Sequence, residues 1–131
     1  MKKICTVLAV FIALSAPAFS ADNLYDSGNA FARLCSSLDR ANDSNLTILE
    51  KARNMNCMAY VDGVLDGVAY EYKIAQDNLA TPFCIPDGVT SLQVGLITLK
   101  YIKNNPELAN RTAVFLVVHA IREAFPCSEK H

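Results

Sequence analysis

The stretch Cys57-Met58-Ala59-Tyr60-Val61-Asp62-Gly63-Val64-Leu65-Asp66-Gly67-Val68-Ala69-Tyr70-Glu71-Tyr72 decides the fold class. Cys57, Val61, Val64, Val68 and Tyr72 recur in steps of four, three, four and four. That is the period of one face of an α-helix. Leu65, Ala69 and Ile74 widen the stripe, and the helix should run from Asn45 or Thr47 to about Gln76. Gly63 and Gly67 share one face of it, at a cost of about 1 kcal/mol each relative to Ala. Such a pair points to a backbone passing close by, either within the chain or from a second copy; the Gly-x-x-x-Gly motif itself is best attested in membranes.

Working outward, Asp26 or Ser27 can cap a first helix. Its buried face would be Phe31, Leu34, Cys35 and Leu38, at i, i+3, i+4 and i+7. Asp39 to Asn45 is polar and reads as a loop. Downstream, Asp77 to Asp87 is a second loop, with Pro82 and Pro86 flanking Cys84 and a Pro86-Asp87-Gly88 turn. Thr90 and Gln93 fit a capping box. The third helix follows to about Lys103, with Val94, Ile97, Tyr101 and Ile102 on its apolar side. Asn105 as cap and Pro106 in the first turn should open a fourth helix. Its stripe is Ala109, Ala113, Leu116, Val117, Ala120, Ile121 and Ala124, and Pro126 stops it after Phe125. The β-branched run Val114 to Val118 could form a strand, but it lies within helical spacing and is read as helix. Short loops favour antiparallel neighbours. The expectation is one all-α domain, a compact and mostly antiparallel four-helix fold, over residues 21–131.

Residues 1–20 have another character. Lys2-Lys3 precedes the apolar run Ile4 to Leu14, and Ala18-Phe19-Ser20 offers small residues around a cleavage point. This is the layout of a secretory signal, too short to span a bilayer. Cleavage is expected after Ser20, and the Lys-Lys-led form looks bacterial, which points to the periplasm. The chain carries 12 Lys+Arg and 13 Asp+Glu, a formal charge of −1. Losing Lys2 and Lys3 with the signal makes the remainder clearly acidic. A general nucleic-acid binder should instead carry a basic surplus. The apolar fraction, 52%, is too high for a disordered chain.

Of five cysteines, Cys5 falls in the signal and leaves Cys35, Cys57, Cys84 and Cys127. An even count in an exported protein reads as two disulfides, with three pairings open on count alone. The helical layout selects one of them. Cys84 precedes helix three and Cys127 follows helix four, so an antiparallel pair brings them together. Cys35 and Cys57 meet across the first hairpin. A metal site is not expected, since no Cys-x-x-Cys pair exists and only His119 and His131 could assist.

Catalytic chemistry is hard to place. His119, the one internal histidine, sits in an apolar helix with no identifiable partner. Asp62 and Asp66 share a helix face and could do acid–base work or hold a cation; a solvated face looks the same. Tyr60, Tyr70 and Tyr72 suit an interface as well as a core rim. No glycine loop cradles a phosphate, and no cofactor is expected. These residues describe a binding protein and not an enzyme.

Several motifs together point further: Ser27-Gly28, Leu34-Cys35, the segment Cys57 to Asp66, Phe83-Cys84-Ile85-Pro86-Asp87-Gly88-Val89-Thr90 with Gln93, Asn105-Pro106-Glu107-Leu108, and Ala124-Phe125-Pro126-Cys127. In this order the chain resembles the Rap/Tai family of immunity proteins from about Ser27 to Cys127. It departs at Asn105, where a His often precedes the Pro. The resemblance implies a small periplasmic all-helical protein, often homodimeric, that binds and blocks a peptidoglycan amidase effector of type VI secretion. The shared motifs are cysteines, glycines and caps. The partner-binding surface is therefore expected elsewhere, at Asp77, Asn78 and Thr81 in the loop and Lys100, Lys103 and Asn104 on helix three. A different class of function, a general periplasmic stress or chaperone-like helical protein, would instead bind unfolded clients weakly and promiscuously.

Overall fold

The computed structural model describes residues 27–75, 81 and 83–127. The expected signal segment, Asp26, Gln76 and His131 lie outside the described residues, as do Asp77, Asn78 and Pro82. Among the described residues there are four α-helices and no strand: α1 (Gly28–Leu34), α2 (Ile48–Tyr70), α3 (Ser91–Asn104) and α4 (Ala113–Ala124). The Val114 to Val118 run is helical, as its spacing requires.

Each helix starts on a hydroxyl that accepts one of the amides left unpaired in the first turn. Ser27 takes the Ala30 amide, Thr47 that of Glu50, Thr90 that of Gln93 and Thr112 that of Phe115. At α2 the cap is reciprocal. The Thr47 amide donates back to Glu50 Oε2 at 2.9 Å, and the Thr47 hydroxyl donates to the same oxygen at 2.8 Å. Arg40 adds an ion pair to Glu50 Oε1 at 2.6 Å. Together the Thr47 amide, its hydroxyl and the Arg40 guanidinium hold the Glu50 carboxyl down at about 2.

Two boundaries differ from the sequence reading. α1 ends at Leu34, and a 3-10 turn (Leu38–Arg40) follows. Leu38 still reaches the core, fully buried beside Phe31 and Cys35. The larger correction concerns the fourth helix. Asn105 does not cap it; its side-chain amide donates to the Tyr101 carbonyl at 2.9 Å and so closes α3. Pro106–Leu108 is a separate 3-10 turn, and α4 starts only after Thr112.

The reason is a contact far away in sequence. The Gly28 amide donates to the Arg111 carbonyl at 2.9 Å, and the Asn29 amide to the Ala109 carbonyl at 3.0 Å. A helix running unbroken from Pro106 would commit both carbonyls to its own amides. The break frees them to satisfy the first turn of α1. It also demands Gly28, because a Cβ there would stand 2.3 Å from Leu116 Cδ1 and 2.9 Å from the Ala109 oxygen.

The core lies where the four helices meet. Phe31, Leu38, Val61, Val94, Leu116, Val117 and Ile121 are fully buried. Two polar features inside it are satisfied. The Ser37 hydroxyl donates to Asn54 Oδ1 at 2.8 Å while Asn54 Nδ2 donates to the Ser37 carbonyl at 3.1 Å. The buried Thr98 hydroxyl donates to the Val94 carbonyl at 2.9 Å. On α3, a Cβ at Gly95 would stand 2.5 Å from Leu38 Cδ2, so its bare backbone lets the 3-10 turn seat.

Both expected disulfides are present. Cys35–Cys57 joins the end of α1 to α2, with a Cα–Cα distance of 5.4 Å. Cys84–Cys127 joins the entry of α3 to the exit of α4, at 4.9 Å. Beside it, the Cys84 amide donates to the Phe125 carbonyl at 3.0 Å.

Candidate partner-binding surface

Gly63 and Gly67 do not receive another part of the described chain. Nothing lies within 4 Å of where a Cβ would stand on either. The described residues therefore supply no close packing against either glycine. The two glycines instead floor an apolar groove of about 470 Å³, walled by Tyr60, Val64, Val68, Tyr72 and Val114, with Glu71 at its edge. Val114 in its wall is 47% exposed, and Tyr70 and Ile74, at the end of α2 and in the turn after it, are exposed as well.

A second groove, of about 200 Å³, lies between α3 and α4. It brings together Lys100 and Asn104, two of the sequence candidates, with Ile97, Tyr101, Ala120 and Glu123. Lys103 is exposed on the same helix. Thr81 is held within its own loop. Its hydroxyl donates to the Phe83 carbonyl at 2.8 Å, and its carbonyl oxygen is 3.9 Å from Cys127 Sγ. Asp77 and Asn78 are outside the described residues.

His119, Asp62 and the cysteines, weighed for catalysis, have contacts of other kinds. The His119 ring stacks on Phe115 with centroids 3.9 Å apart. Just ahead of α4, the Arg111 guanidinium carbon lies 4.6 Å from the centroid of that same Phe115 ring. The three form a ladder at i, i+4 and i+8, a spacing present in the sequence that the reading of its motifs missed. Asp62 accepts a hydrogen bond from the Ser91 hydroxyl and so ties α2 to the start of α3. Asp66 is exposed. The four cysteines are bonded in pairs. Among the described residues no cluster of three or more His, Cys, Asp or Glu could hold a metal ion. None of their helices is long and apolar enough to cross a membrane.

The described residues thus form a disulfide-stapled helical scaffold with an apolar groove and a second, more polar one. The family model described as Rap1a immunity proteins matches residues 27–127, from the α1 cap to the last disulfide cysteine. The chain belongs to the Rap1a immunity protein family. This agrees with the family resemblance read from its motifs. The Rap1a match takes in both disulfides, the Gly28 contact and both grooves. No curated protein and no solved structure matches the chain.

Proposed function

We propose that this Rap1a family member is an exported, periplasmic immunity protein that binds and occludes a peptidoglycan amidase effector of a type VI secretion system. It acts as an inhibitor and not as a catalyst. The family match over residues 27–127 carries the reading. The two disulfides support export, because such bonds persist in oxidising compartments. Residues 1–20 serve as the cleaved signal, and 21–131 form the working domain.

The effector docks on the α3 side, where Lys100 and Asn104 line the smaller groove and Lys103 is exposed on the same helix, and Asp77, Asn78 and Thr81 are its further contact residues. A preformed surface suits inhibition, since a rigid binder loses little entropy on docking. A stable complex of this kind buries roughly 1,200–2,000 Å². The test is a pull-down of the oxidised protein from its own periplasm, followed by an amidase assay on the captured partner. Recovery of one hydrolase that the protein inhibits supports the reading. Recovery of many unfolded clients and no hydrolase moves it to the chaperone-like class.

One observation favours a further element, self-association through α2. Gly63 and Gly67 offer a bare helix face in an apolar groove with half-exposed Val114 on its wall, which a second copy can cover. Light scattering across a dilution series decides between monomer and dimer.

A further inference from the structure

We propose that the Cys84–Cys127 bridge is a redox-sensitive latch, opened by a dithiol while the Cys35–Cys57 bridge stays closed. The two bridges have the same chemistry and opposite surroundings. Cys35 and Cys57 are both 0% exposed. Leu38 and the bare backbone of Gly95 close over them, with Cys57 Sγ only 3.7 Å from the Cβ position of that glycine. A reductant reaches this sulfur only after α3 moves. Cys84 and Cys127 are both exposed, beyond the ends of α3 and α4.

Exchange requires a thiolate to reach one sulfur of the bridge. An external dithiol, either a small reagent or the Cys-x-x-Cys site of a disulfide reductase, supplies it. Its thiolate bonds to one protein sulfur as the Sγ–Sγ bond breaks, and the other protein sulfur leaves as a thiolate. The second thiol of the reagent then displaces the first protein sulfur. The reagent ends as a disulfide, and its two protons end on Cys84 and Cys127.

Opening the latch releases the 83–90 strap from the end of α4 without dissolving the domain. Once the covalent tie is gone, the Cys84 amide bond to the Phe125 carbonyl is the backbone bond that still joins the strap to that end. Phe83 stays buried and Ile85 and Val89 pack on the core, so the strap loosens at its cysteine end while the helices persist.

The experiment is timed reduction of the oxidised full chain with dithiothreitol in native buffer, quenching with an alkylating reagent and mapping the labelled cysteines by mass spectrometry. Far-ultraviolet circular dichroism and hydrogen exchange at the Cys84 amide are followed in parallel. Label should enter Cys84 and Cys127 at least about tenfold faster than Cys35 and Cys57, because the buried pair must wait for a local opening. Helical signal should be retained while the Cys84 amide loses its protection, and reoxidation should restore it. Labelling of all four cysteines at one rate, labelling of Cys35 and Cys57 first, or collapse of the helical signal with the first pair would overturn the proposal.

Discussion

Gly28→Ala isolates the tightest contact in the domain. The added methyl would stand 2.3 Å from Leu116 Cδ1 and 2.9 Å from the Ala109 oxygen. Carbon atoms settle at about 3.5–4.0 Å, so something must shift by more than an ångström. Leu116 is fully buried, and the Ala109 carbonyl is held by the Asn29 amide. Overpacking of this sort costs about 1–3 kcal/mol. Gly28 is the first residue of α1, outside the helix interior where a better helix former gains up to about 1 kcal/mol. The expected net loss therefore stays at about 1–3 kcal/mol, a fall of several degrees in Tm for a domain of this size. Gly63→Ala and Gly67→Ala are the controls, because both lie inside α2 with open space beside them. Each should stabilise the monomer by about 0.5–1 kcal/mol. Urea unfolding of the disulfide-intact protein at low concentration measures all three. A Gly28→Ala protein as stable as the parent would refute the close contact. Loss of stability in Gly63→Ala at low concentration would refute the open groove, and loss that grows with concentration would instead place a second copy on it.

Three more predictions rest on other contacts. Asn54→Ala leaves the buried Ser37 hydroxyl without its partner, while the Ser37 carbonyl keeps the Arg40 amide, and should cost about 1–3 kcal/mol in the same assay. Glu50 has a folded-state value of about 2 against an ordinary 4.5, so it favours folding above pH 4.5, and that contribution is lost as pH falls from 4.5 towards 2. Glu50→Gln should flatten this part of the stability–pH curve, read by thermal unfolding at stepped pH. Lys100→Glu with Lys103→Glu should weaken effector binding at least about tenfold in calorimetry, since charge reversal against a complementary surface repels, while the circular dichroism spectrum stays that of the parent.

Much of this fold is written in local pattern. Cys57, Val61 and Val64 share the buried face of α2 because the period that places them there is a property of the helix itself. The disulfide pairs follow from which helix ends an antiparallel layout brings together. The fourth helix starts later than its sequence indicates, because Asn105-Pro106 is a good local start signal and a tertiary demand overrides it. Only the folded chain shows that the carbonyls of Ala109 and Arg111 are needed by Gly28 and Asn29. The glycines behave in the same way. Gly63 and Gly67 carry the recognisable spacing yet meet nothing, whereas Gly28 and Gly95, with no motif between them, are the two that a side chain would collide with. Of the candidate surface, Lys100 and Asn104 were legible as polar positions outside the motif. That they share a groove with Glu123 depends on how α3 and α4 pack, which spacing alone does not encode.

The handover of the first α1 amides to the turn before α4 has a consequence for how the chain is assembled. The side chains of Asn29 and Asn110, joined in the same clasp, are 81 positions apart. A helix of two turns is too short to persist alone in water, so α1 cannot hold its shape when it first emerges. It must wait until most of the chain has followed. Ordering of α1 is thus postponed until the turn before α4 is in place, and a segment near the start of the described domain is among the last to become ordered.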